Sequence, residues 1–333
     1  MTANRAALER LHALPRLPLA IAPTPIDDLS RLRDALGGRP LDRARDRPTL
    51  LVKRDDAIPF GFGGNKIRKL QLVVAQALAD QADTLITSGG VQSNHARATA
   101  AVAARMGLAC VLVANGTPPA KATANALLDR LLGAEVRYVE SRDARAPGME
   151  DAAAELRKKG RRPFVIPLGA STPLGAAAYA LAVTELLAQI AAPDLIVLST
   201  SSGGTQAGII AGCRLHGLPT RVVGISADDP SAAIAKEVGR ILGGLEALLG
   251  SPRGTLTDAP IDIDDRFVGD GYGIPTPQSM EAIELCARRE ALFLDPTYTA
   301  KAMAGLIAKA RARELGTGTT LFWHTGGQVG LFA

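Results

Sequence analysis

Short apolar runs recur along the chain between turn residues: Leu50-Leu51-Val52-Lys53, Thr84-Leu85-Ile86-Thr87, Cys110-Val111-Leu112-Val113, Val136-Arg137-Tyr138-Val139, Leu195-Ile196-Val197-Leu198 and Val222-Val223-Gly224-Ile225. Each has the length of a strand, and their β-branched and leucine content suits strands covered on both faces. Between them lie alanine-rich stretches of helical length, among them Lys66 to Ala79, Ala96 to Met106, Leu174 to Ala192 and Ala300 to Ala312. This alternation predicts βαβ crossovers, and hence an α/β fold with doubly wound parallel sheets. A basic stretch containing Pro and Gly near residues 160 to 175 precedes a fresh βα series and marks a crossing between two domains. Ligands in such folds bind beyond the carboxyl ends of the strands, so the loops that follow them are where chemistry is expected.

Composition narrows the class. The 333 residues are 47% hydrophobic but only 4% aromatic, so the core is built from Ala, Leu, Ile and Val. The 38 basic and 33 acidic side chains leave a net charge of +5, with the arginines scattered and no basic run interleaved with aromatics. That excludes nucleic acid as the expected partner and leaves small anions. Cys110, Cys213 and Cys286 are odd in number and widely spaced, which suits reduced thiols and points away from zinc or disulfides. The apolar part of the N-terminus is short and broken by Pro15 and Pro18, so it does not read as a signal peptide. Thr184, Glu185 and Gln189 make the most apolar helix a buried one and not a membrane span. A cytoplasmic protein is expected.

Five segments and one loop tyrosine carry candidate chemistry. Gly63-Gly64-Asn65-Lys66-Ile67-Arg68-Lys69-Leu70 delivers a lysine to a glycine turn and a helix start, with Asn65 read as the N-cap and Lys66 and Lys69 on one face. Taken alone, its plainer reading is a solvated basic helix. Ser88-Gly89-Gly90-Val91-Gln92-Ser93-Asn94-His95 gathers hydroxyl, amide and imidazole at a helix N-terminus, where a carboxylate would be favoured; simple capping by Ser93 or Asn94 is the alternative. Ser199-Thr200-Ser201-Ser202-Gly203-Gly204-Thr205-Gln206 opens another helix with small residues that can form a phosphate nest, and matches neither GxGxxG nor GxxxxGK[ST]. Asp295-Pro296-Thr297-Tyr298-Thr299 and Phe322-Trp323-His324-Thr325-Gly326-Gly327 lie near the C-terminus, and Tyr272 sits in a Gly-Tyr-Gly loop.

Together with Lys53-Arg54-Asp55-Asp56, and in this order, these motifs resemble the pyridoxal-phosphate enzymes of fold type II, in particular the group containing D-cysteine desulfhydrase and 1-aminocyclopropane-1-carboxylate deaminase. The resemblance runs from about Leu19 to the C-terminus. It implies a fold like that of the tryptophan synthase β chain, with a larger cofactor-binding domain of residues 1–66 and 175–333, a smaller one of 67–174, and pyridoxal 5'-phosphate in the cleft between them. It further implies that Lys66 is the Schiff-base lysine, and that Lys69 with Ser201, Ser202, Gly203, Gly204 and Thr205 holds the cofactor phosphate. Asn94 bonds the phenolic oxygen, and Thr299 and Thr325 face the pyridine nitrogen. Ser93, Asn94 and His95 meet the substrate carboxylate, and Tyr298 and Tyr272 lie near the reacting side chain, so that Lys66, Ser93, Tyr298 and Tyr272 form the catalytic group.

The deaminase pattern has Gln where this chain has His95 and Glu where it has Thr299. A hydroxyl cannot hold a pyridinium proton as a carboxylate does, which favours loss of a good β leaving group over opening of a cyclopropane. The resemblance therefore implies β-elimination from a small amino acid, D-cysteine first, by a homodimer. The alternatives are 1-aminocyclopropane-1-carboxylate deamination, elimination from another 3-substituted alanine such as cysteate, or, in a different class, a catalytically silent amino-acid-binding protein.

Overall fold

The computed structural model describes residues 2–19, 23–37 and 48–333. Residues 1, 20–22 and 38–47, which the expected 1–66 span includes, lie outside the described residues. The chain runs through α1 (Thr2–Ala13), β1 (Ile26–Asp28), α2 (Ser30–Leu36), β2 (Thr49–Arg54), α3 (Asn65–Ala79), β3 (Thr84–Gly90), α4 (Asn94–Met106) and β4 (Ala109–Asn115). It continues through α5 (Ala124–Leu131), β5 (Glu135–Val139), α6 (Arg145–Lys158), β6 (Pro163–Val165), α7 (Pro173–Leu187), β7 (Leu195–Thr200) and α8 (Gly204–Leu215). The last elements are β8 (Arg221–Ser226), α9 (Ser231–Leu249), β9 (Asp262–Asp264), α10 (Pro277–Glu290), α11 (Thr299–Arg311) and β10 (Thr319–His324).

Two sheets result. One has the order β1-β2-β10-β7-β8-β9, the other β5-β4-β3-β6. All pairings are parallel except β1 with β2. The smaller sheet uses only residues between 84 and 165; the larger uses chain from both sides of that segment.

Strand alternation explains why both faces are covered. In β10, Leu321 and Trp323 enter the core beneath α1, α7, α8 and α9, while Phe322 enters the core beneath α2, α10 and α11. In the smaller sheet Leu85, Cys110 and Leu112 face α3 and α4, and Ile86, Val111 and Val113 face α6. The inner strands are thus buried on both sides, as their composition predicts, while β5, at the edge of the smaller sheet, is only half-buried. Helix α7 stops at Leu187, short of the predicted Ala192, and carries Pro173 in its first turn. Its polar residues have a definite use. Glu185 pairs with Lys53 at 2.6 Å and Arg68 at 2.8 Å, and Gln189 accepts from Lys53 at 2.5 Å. Among the described residues no helix is long and apolar enough to cross a membrane.

Candidate active site

The carboxyl ends of β3, β6, β7, β8 and β10 and the start of α3 open onto one cavity between the sheets. Lys66 reaches it because of the turn before α3. Gly63 and Gly64 have φ of 67° and 95°, and a Cβ at Gly63 would come within 2.7 Å of the Asp56 carbonyl oxygen, so only glycine lets the chain pass. The Gly64 amide donates to Asp55 O at 2.9 Å, and the Asn65 amide donates to Thr325 O at 2.9 Å, which docks this turn on the end of β10. Asn65 is not the N-cap. Gly64 holds that position, and Asn65 instead donates from Nδ2 to Thr205 Oγ1 at 3.0 Å, spanning to the first turn of α8.

Lys66 Nζ donates to Asn65 Oδ1 at 3.0 Å. Burial and the nearby Arg97 guanidinium bring its pKa down to about 8 against the pull of Asp295. Lys69, one turn on, is buried and donates to Gly169 O at 3.1 Å and Ser171 Oγ at 3.2 Å. Burial, and then the charge of Lys66, hold its pKa well below the usual lysine value. Two amines therefore share a site that favours an anion.

At the β3–α4 junction Ser93 is the N-cap: its Oγ accepts from the Ala96 amide at 3.2 Å. The capping alternative is thus realised, and the same residue still lines the cavity with Asn94 and His95. Asn94 Oδ1 accepts from Asn125 Nδ2 at 2.9 Å, which leaves the other half of its amide toward the cavity. His95 Nε2 pairs with Thr87 Oγ1 at 2.9 Å. Burial first, then Lys66 and Lys69, depress its pKa well below the usual value, so the ring is neutral.

Across the cavity, Ser201, Ser202, Gly203, Gly204 and Thr205 curl into the start of α8. Gly203 has φ 74°, and a Cβ on Gly204 would lie 2.8 Å from Lys69 Nζ, so the glycine brings the backbone up against the buried amine. Ser199 Oγ and Thr200 Oγ1 are buried in the cavity wall with no protein partner. Tyr272 and Tyr298 join through their hydroxyls at 2.7 Å with rings edge-to-face, and Thr325 lines the wall nearby.

Thr299 is the exception among the expected residues, for it is fully buried outside the cavity lining. Its Oγ1 donates to Asp295 Oδ1 at 2.6 Å and accepts from the Asp295 amide at 2.8 Å. The Asp295 carboxylate in turn accepts from the amides of Thr297, Tyr298 and Thr299, closing the turn that leads into α11. The hydroxyl expected to face a ring nitrogen is thus engaged by Asp295 in the turn that leads into α11. Arg142, Arg145 and Asp228 line the cavity and were not anticipated, because they stand in no motif and only the topology brings them there. Ser171 was also missed. Among the described residues no group of three or more His, Cys, Asp or Glu is placed to hold a metal ion.

Comparison with known proteins supplies the family. The model of the pyridoxal-phosphate dependent enzymes matches residues 17–326. The chain belongs to that family. It is 38% identical to the D-cysteine desulfhydrases of Salmonella choleraesuis and Salmonella typhi, each match covering 98% of both chains. Among solved structures it resembles an ACC deaminase homologue with a TM-score of 0.89 and 34% identity, covering 98% of this chain and 96% of the other. The fold is shared more distantly with threonine deaminase isoform 2 from Solanum lycopersicum, with a TM-score of 0.69, 16% identity and coverage of 97% and 84%. The expected fold type II architecture is therefore the one found.

The residues present fit pyridoxal phosphate. An amine that deprotonates near neutrality, a helix start free of side-chain obstruction beside a second buried amine, and two unpartnered buried hydroxyls are what an aldehyde carrying a phosphate requires.

Proposed function

We propose that this pyridoxal-phosphate enzyme is a carbon–sulfur lyase that removes the β substituent and amino group of a small amino acid, with D-cysteine giving pyruvate, sulfide and ammonia. The observation that carries the reading is Lys66, a lysine with its pKa brought down to about 8 on the wall of a cavity that also holds two anion-favouring helix starts. Pyridoxal phosphate, when bound, supplies a carbonyl for the substrate amine and a ring that draws electrons from Cα. Lys66 Nζ anchors it and then takes the Cα proton. The start of α8, with Lys69, Ser201, Ser202 and Thr205, holds the phosphate. Asn94 would donate to the cofactor's phenolic oxygen, and Thr325 would face its pyridine nitrogen.

Ser93 and the first turn of α4 hold the substrate carboxylate, with neutral His95 behind them. The Tyr272–Tyr298 pair lies beside the departing group, and burial raises the pKa of the Tyr298 phenol well above its usual value. Asp228 is a carboxylate in the cavity lining, already bound by Ser201 Oγ at 3.0 Å and Arg142 at 3.3 Å. Identity with the desulfhydrases supports D-cysteine over the deaminase reaction. We further assign the larger sheet to a domain of residues 1–66 and 175–333, the smaller to 67–174, and a homodimeric, cytoplasmic state to the enzyme.

The test is an assay of keto acid from both enantiomers of cysteine and from 1-aminocyclopropane-1-carboxylate. D-cysteine should be turned over with the highest kcat/KM of the three. Equal or better turnover of the cyclopropane substrate would replace the reading with deamination, and a colourless protein inert to all three would favour a silent binding protein.

A further inference from the structure

A lysine in the first turn of a helix faces unpaired amides that already carry positive charge. Lys301 is the third residue of α11, and its side chain is fully buried there, which adds the cost of taking an ammonium out of water. Three backbone carbonyls offset that cost. Nζ donates to Val268 O at 2.7 Å, Gly271 O at 2.8 Å and Ala227 O at 3.2 Å. An ammonium has three N–H donors and no acceptor, so these carbonyls use all of them and require the protonated form. The carboxylates of Asp228 and Asp295 favour that form as well, against the effect of burial.

What the ammonium holds is the loop that carries Tyr272. Between β9, which ends at Asp264, and α10, which starts at Pro277, the chain forms neither helix nor strand. Gly269, Gly271 and Gly273 all have positive φ there, so the backbone has little stiffness of its own. Outside the loop itself, residues 268–275 hydrogen-bond, among the described residues, only with the start of α11. Two of those bonds come from Lys301, and the third is the hydroxyl pair of Tyr272 and Tyr298 at 2.7 Å. Tyr272 follows Gly271, and Tyr298 lies three positions before Lys301, so one helix start grips both the backbone of the loop and its hydroxyl. Ala227 follows β8, and the same ammonium therefore ties the loop to the end of that strand. Tyr272 and Tyr298 line the cavity; Lys301 does not.

We propose that Lys301 is a positioning residue for the reaction: its ammonium is a fixed internal cation that clamps the Tyr272 loop to α11 and β8 and so assembles the tyrosine pair before substrate arrives. This rests on the reading above, which puts the departing group beside that pair. With an apolar side chain of similar length in its place, three carbonyls lose their donor together, and the loop regains partners for them only by moving them into water. Tyr272 then moves with its backbone, while Tyr298 stays with α11.

Lys301→Met tests this in the holoenzyme. In hydrogen exchange read by mass spectrometry without substrate, the peptide spanning 265–276 should exchange about tenfold or more faster than in the wild type, while the start of α8 keeps its rate. Unchanged exchange in that loop, or equal acceleration throughout the protein, would overturn the clamp. If Lys301→Met does not fold, Lys301→Gln, which keeps two donors without the charge, is read in the same way, with a smaller acceleration confined to the same loop. In turnover of D-cysteine, kcat/KM should fall about tenfold or more in Lys301→Met, with the affinity for pyridoxal phosphate unchanged within about twofold. The fall should shrink to less than about threefold in a Tyr272→Phe background, because a residue acting through that hydroxyl has little left to act on once it is gone. A fall as large in that background as in the wild type would show that Lys301 acts elsewhere and overturn the assignment. If the wild type does not turn over D-cysteine, the elimination reading fails, while the exchange measurement still decides the clamp.

Discussion

An ammonium group held where water is scarce gives up its proton more readily, and Lys66 follows that rule in falling from 10.5 to about 8. Because the charged form is the one penalised, the free amine predominates above about pH 8 instead of above about 10. The rate at which apoprotein captures pyridoxal phosphate should therefore climb with pH and level off just above 8. A rate still rising beyond pH 10 would show an ordinary lysine. Gly203 makes a second prediction at this scale. Its φ of 74° and the Val238 side chain 3.0 Å from a notional Cβ leave a β-branched residue strained by about 1–2 kcal/mol and pressed against α9. Gly203→Val should bind pyridoxal phosphate more weakly in a fluorescence titration. Equal affinity in a folded variant would place the phosphate elsewhere.

Helices α3 and α7 meet the end of β2 through a buried set of charges. Asp55 accepts from Arg68, Tyr179, Trp323 and Thr24, and Glu185 accepts from Arg68, Lys53 and Thr24. The Asp55 carbonyl oxygen also holds the Gly64 amide, so this cluster fixes the turn from which Lys66 projects. Removing Glu185 strands the positive charges of Lys53 and Arg68, and Glu185→Ala should cost about 3–5 kcal/mol in a denaturant titration; a loss under about 1 kcal/mol would mean that water replaces the carboxylate. The arginine and lysine hold the Glu185 pKa down to about 2, below its usual 4.5. Its folded pKa is depressed, so the stability it provides is present above about pH 4.5 and is lost as pH falls toward 2. The variant should lack that part of the acid dependence.

At this scale the sequence was informative where structure is local. Each predicted apolar run became a strand, and glycine turns at Gly63-Gly64, Gly203-Gly204 and Gly326-Gly327 lie where the motifs placed them. Asp295 and Thr299 carry a local signal too, because an Asp followed by a hydroxyl four residues on is able to close the turn ahead of a helix by itself. Arg142, Arg145 and Asp228 had no local signal. They meet because separate strands end at the same cavity, and strand order is not written in any one segment.

On the scale of the whole molecule, two parallel sheets direct their carboxyl ends at one cleft, and contacts across it connect them. Ser171 meets Ser202, and Arg142 reaches Asp228. Everything assigned to this cleft depends on the cofactor being anchored at Lys66 and not at its buried neighbour Lys69. Borohydride reduction of the holoenzyme followed by peptide mass mapping measures that directly. The cofactor should be fixed on the peptide containing Lys66 with fragment ions placing it on that side chain, and Lys66→Ala should be folded but unlabelled. A label on Lys69, or one that persists in Lys66→Ala, would contradict the account.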